Sequence, residues 1–132
     1  MANPNLLAAT TASGTTTYLT PGVTTALVLV PNAASSGQVF KINNIVVANN
    51  TGSAANTTVS IYTNGAVAQG SAPSGGTAYP IVSAVSVPAN ASLIAVDKTT
   101  SLYLMEGTSI SITSGTGSAL IYTISYEVIS AS

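Results

Sequence analysis

Histidine, cysteine and tryptophan are all absent from this 132-residue chain. Without histidine there is no ordinary general base or acid near neutral pH, no imidazole metal ligand and no Ser-His or Cys-His nucleophile. Without cysteine, neither a disulfide framework nor a thiolate metal site can form. Charge is almost as scarce. Only Lys41, Lys98, Asp97, Glu106 and Glu127 are charged at neutral pH, 4% of the residues, with a net charge of -1. About a quarter is usual for a globular domain. Such a balance gives no electrostatic attraction to nucleic acid or to an anionic membrane surface. No run of about 20 apolar residues exists to span a bilayer as a helix. The longest aliphatic stretch is Ala26-Leu27-Val28-Leu29-Val30. The opening Met1-Ala2-Asn3-Pro4-Asn5 has neither the basic region nor the apolar core of a secretory signal.

What remains is 46% hydrophobic residues in a background of Ser, Thr, Asn and Gly. A surface of hydroxyls and amides loses its water at little cost. Soluble monomers ordinarily keep charge to resist association, so a chain that gives it up is suited to subunit contacts. The length fits one domain with its own core.

Strand signals dominate. Helix formers are few, whereas Thr, Val, Ile and Tyr abound. In the last run, Leu120, Tyr122, Ile124, Tyr126 and Val128 alternate with Ile121, Thr123, Ser125 and Glu127, the period of a half-buried strand. Turn residues separate the runs, as in Pro21-Gly22, Ser36-Gly37, Asn50-Thr51-Gly52, Asn64-Gly65, Pro88-Ala89-Asn90, Glu106-Gly107 and Ser114-Gly115-Thr116-Gly117. Asn64-Gly65 suits either a tight hairpin or the start of a loop. Strands are expected near 23–30, 38–49, 56–63, 78–87, 92–97, 101–105, 109–114 and 118–129. That makes an all-β antiparallel sandwich of about eight strands, jelly-roll-like. Residues 1–18 form either an arm that orders on a neighbour or an edge strand, and 19–132 form the sandwich. Residues 66–77 read as an exposed loop. The expected core comprises Val28, Val30, Phe40, Ile42, Val59, Ile61, Leu102, Leu104, Ile110, Ile112, Leu120, Ile124 and Val128.

Chemistry finds little footing. A lysine beside a serine, at Lys41 or Lys98, is unspecific in so serine-rich a chain. Asp97 and Glu106 flank one expected strand and read as charged residues at solvated turns, not as the facing pair of a glycosidase. They are too few for a calcium site. Gly70 to Gly76 lacks the lysine and helix of a phosphate-binding loop. We therefore expect no enzyme activity and no cofactor or metal. The residues expected to touch neighbouring proteins are Asn3, Leu6, Leu7, Tyr18 and Tyr79, since tyrosine is enriched at interfaces.

Several stretches resemble a known group. They are Met1 to Thr10, Asn32 to Asn49, Val87-Pro88-Ala89-Asn90-Ala91-Ser92-Leu93, Val96-Asp97-Lys98, Leu102-Tyr103-Leu104-Met105-Glu106-Gly107 and Ser125-Tyr126-Glu127-Val128-Ile129-Ser130. Together these resemble small virion structural proteins of tailed phages that infect marine cyanobacteria and similar hosts. Thr108 stands where that pattern often has Asp after Glu-Gly, which argues against a metal at this turn. The resemblance implies a particle component: first a capsid decoration protein clamping the major capsid protein or other virion proteins, then a tail, neck or fibre-associated protein. Either could carry glycan or host-receptor binding. The expected state is a homo-oligomer, with a trimer among the forms foreseen.

Overall fold

The computed structural model describes residues 6–130. A short 3-10 turn, Leu6–Ala8, leads into nine strands: β1 Thr11–Leu19, β2 Leu27–Asn32, β3 Gln38–Asn49, β4 Ala55–Tyr62, β5 Ala78–Val87, β6 Ser92–Val96, β7 Leu102–Leu104, β8 Thr108–Ser114 and β9 Leu120–Ser130. They form two antiparallel sheets. Sheet A has the order β1-β9-β3-β6, with β7 also on β3, and sheet B has β2-β8-β4-β5. The fold is thus an all-β sandwich in jelly-roll order. β6 and β7 share one position: β6 lies along Ile45 to Ala48 of β3, and β7 along Phe40 to Ile42.

The ninth strand is β1. Of the two readings of the amino-terminal region, the edge strand describes residues 11–19, which pair with β9 from Thr11↔Ser130 to Leu19↔Tyr122 without interruption. Asn64-Gly65 makes no hairpin. It opens a loop of residues 63–77, and Gly65 is obligatory there because a Cβ would collide with the carbonyl oxygens of Asn32 and Thr108. The loop is exposed, as expected from its composition, but it is firmly tied. Val28 N donates to Ser71 O and Gly70 N to Val28 O, both at 2.9 Å. Ser109 Oγ donates to Asn64 O at 3.0 Å, and Gly76 N to the Tyr62 hydroxyl at 3.0 Å.

The core lies between the sheets. Val30, Phe40, Ile42, Val59, Leu104, Ile110, Ile112, Leu120 and Ile124 are buried there, while Ile61, Leu102 and Val128 are only partly covered. Val28, expected in the core, is instead buried on the outer face of sheet B, opposite Ser111 and against loop residues 70–71. Each fully buried aliphatic contributes about 1.5–3 kcal/mol. Ile45 and Val47 join them because β3 shifts register between Ile42 and Asn44, which moves the inward parity from even to odd residues. Leu29 is buried between Val28 and Val30 for the same reason, a register shift in β2.

Tyr122 links the sheets. Its hydroxyl donates to Thr113 O of β8 at 2.9 Å, which leaves Thr57 Oγ1 of β4 to donate to it at 2.5 Å. Two asparagines clamp loops from inside. Asn32 Nδ2 donates to Gln38 O and Leu104 O, both at 3.0 Å, and Asn49 Nδ2 to Ser53 O at 2.8 Å and Val87 O at 3.0 Å. Every such bond satisfies a buried polar group whose desolvation would otherwise destabilise the fold.

Candidate assembly surface

The outer faces of the two sheets differ. On sheet B, the outward residues Ser60, Tyr62, Ser109 and Ser111 are buried, because loop 63–77 folds over them. Among the described residues, no comparable loop folds over sheet A, although Val39 at one end of its outer face is buried. The strand registers of sheet A set side chains in rows across the outer face. One row runs Tyr18–Thr123–Val46–Ile94. The next is Thr16–Ser125–Asn44, in which the Thr16 and Ser125 hydroxyls bond at 2.9 Å. The third is Gly14–Glu127–Lys41–Tyr103.

Lys41, Glu127 and Tyr103 of this third row line a hollow of about 480 Å³ beside the amino-terminal turn, together with Leu6, Thr10, Ala12 and Ile129. Lys41 and Glu127 are cross-strand neighbours, and Asn43 Nδ2 donates to Glu127 Oε2 at 3.1 Å. An opposite-charge pair across strands stabilises a sheet by about 0.2–1 kcal/mol. The hollow thus holds one lysine, one carboxylate and a half-exposed tyrosine. That set can accept and donate hydrogen bonds and offer a flat aromatic surface.

The residues expected to make contacts fall into two groups. Leu6 lines the hollow, Leu7 beside it is 98% exposed, and Tyr18 on the same outer face is 72% exposed. Tyr79 is also exposed but belongs to β5, the far edge of sheet B, beside Ile81 and Val85. It does not join the others. Asn3 lies outside the described residues. Tyr103, Ile94 and the Lys41–Glu127 pair were not singled out by sequence as one surface. The alternation that put Glu127 outward was visible, but its alignment with Lys41 and Tyr103 depends on the register of three strands.

Asp97 and Glu106 serve local structure. Asp97 Oδ1 accepts from Thr99 N at 2.9 Å, Thr99 Oγ1 at 2.6 Å and Thr100 N at 3.1 Å, capping the turn Lys98–Thr100. The Thr99 hydroxyl and amide bonds hold its carboxyl below the usual 3.8. Glu106 Oε2 accepts from Gly37 N at 3.3 Å. Among the described residues, no three His, Cys, Asp or Glu side chains gather to hold a metal ion. Nor is any helix there long and apolar enough to cross a membrane. Compared with known proteins, the chain matches no family model, and no curated protein is similar to it in sequence.

Proposed function

We propose that this chain is a structural subunit of a phage particle, acting as a capsid decoration protein that binds neighbouring subunits of the major capsid protein. The observation that carries the reading is the outer face of sheet A, where, among the described residues, Tyr18, Ile94 and Tyr103 are exposed beside two charged groups, Lys41 and Glu127, that lie opposite each other. Exposed apolar and aromatic side chains in a neutral polar field match the composition of protein interfaces. The resemblance to small virion proteins supplies the setting. A place in the tail, neck or fibre draws on the same surface.

The test is co-sedimentation of the purified chain with phage particles, at low and at high salt. Binding should hardly change with salt, because few charges take part. Ile94→Lys and Tyr103→Lys should remove it while leaving the fold intact. Absence of the chain from gradient-purified particles, or binding abolished by salt, would defeat the reading.

The hollow favours a second reading. Tyr103, with Lys41 and Glu127 beside it, offers an aromatic plane and polar partners of the kind a saccharide stacks on. A glycan array read with the wild type and Tyr103→Ala tests this, and a blank array removes it.

A further inference from the structure

Four edges bound the two sheets, and three are protected against pairing with another chain. The β2 edge is occupied by loop residues 70–71. β5 carries Pro80, two register shifts against β4 and a left-handed residue, Ala84, at φ 48°. The β6/β7 edge is broken into a five-residue and a three-residue strand around the Asp97-Lys98 turn. Short strands, prolines, bulges and charges are the usual means of blunting an edge. β1 has none of them. It is nine residues long, Thr-Ala-Ser-Gly-Thr-Thr-Thr-Tyr-Leu, without proline, charge or register shift, and the order of sheet A ends at it.

We propose that β1 pairs antiparallel with β1 of a second copy about a two-fold axis, so that two sheets A join edge to edge. This rests on the structural reading above and names one of its contacts. The occupant follows from the strand itself. With Thr15 facing Thr15 of the second copy, Ser13 faces Thr17, Thr11 faces Leu19, Gly14 faces Thr16 and Ala12 faces Tyr18. Apart from the central Thr15 pair, each larger side chain meets a smaller one, and no charge meets its own image. Paired positions have the same parity, so outward amides and carbonyls meet their counterparts, and each face of the strand continues the same face of its neighbour. A two-fold contact of this kind uses one patch twice and closes.

The experiment is light scattering of the purified chain at high micromolar concentration. The wild type should contain dimers. Thr15 is exposed, so Thr15→Lys leaves the fold intact, as circular dichroism should confirm. It sets two ammonium groups face to face and should weaken association about tenfold or more, like charges directly opposite being unfavourable. Mixing Thr15→Lys with Thr15→Glu should restore the dimer. Ser83→Lys, a similar change on the β5 edge, should leave it unchanged. Because the chain has no cysteine, oxidised Thr15→Cys can cross-link only copy to copy, and opposed strand positions lie within disulfide reach. A wild-type dimer or trimer indifferent to Thr15→Lys, with no Thr15→Cys cross-link, overturns the strand pairing and leaves the structural role standing. A monomeric wild type whose binding to particles is lost in Thr15→Lys overturns the second copy and gives the edge to another virion protein. A monomer that also ignores particles overturns both.

Discussion

Sheets A and B are built from the same kinds of residue, yet one is closed to the outside and the other open. Sheet B buries serines and a tyrosine on its outer face under loop 63–77, and both of its edges are obstructed. Sheet A leaves Tyr18, Ile94 and Tyr103 exposed and ends in β1, which has no proline, charge or bulge and to which the loop is bonded through Gln69 Nε2 donating to Thr17 Oγ1. The difference teaches that in a chain with so little charge, access is controlled by backbone devices. A tied loop, a bulge and a proline do the work that lysines and glutamates do elsewhere.

Substitutions can sharpen this contrast. The largest effect should come from Leu29→Ala, which empties a site between the closed sheet B and the core. It should cost about 2–5 kcal/mol in denaturant unfolding, whereas Ile94→Ala on open sheet A should change unfolding by less than about 0.5 kcal/mol. Tyr122→Phe should cost about 1–3 kcal/mol, because the Thr57 hydroxyl and Thr113 carbonyl lose their shared partner between the sheets. Gly65→Ala should lift the loop from Asn32 and Thr108, destabilise by about 1–3 kcal/mol and raise hydrogen exchange at Val28 and Gly70, opening sheet B. Smallest are the effects of pH. Burial raises the Tyr122 hydroxyl above its usual 10.0. The folded chain then keeps a proton the unfolded chain has shed, so stability falls as pH rises past about 10. Asp97 acts in the opposite sense. Its contribution is present above pH 3.8 and fades as pH falls below that value, since the unfolded carboxyl takes up its proton first. Thermal melts across pH, compared with Asp97→Asn and Tyr122→Phe, check both.

The fold was largely legible because alternation in β8 and β9 is uninterrupted and turn residues mark their ends. Where alternation breaks, the reading went wrong. The bulge at Asn43 hid Ile45 and Val47, and the bulge in β2 hid Leu29, because an extra residue reverses which parity faces inward. β1 was ambiguous for a different reason. Almost all of its side chains are exposed on both faces, so no apolar rhythm records its pairing. The surface was legible only in fragments. Leu6 and Tyr18 were anticipated, but nothing in sequence sets Lys41 beside Tyr103, 62 residues on, and Glu127, 86 residues on; the strand registers bring them together. Tyr79 was grouped with them by residue type alone, and the topology places it on the β5 edge of sheet B.

Asn32 and Asn49 fasten their loops through carboxamides, groups that neither gain nor lose a proton across the range in which proteins survive. Dissolved ions have no charge there to screen. Anchors of this sort grip equally in brine and in fresh water, so the turns they hold should stay fastened across a wide range of salinity.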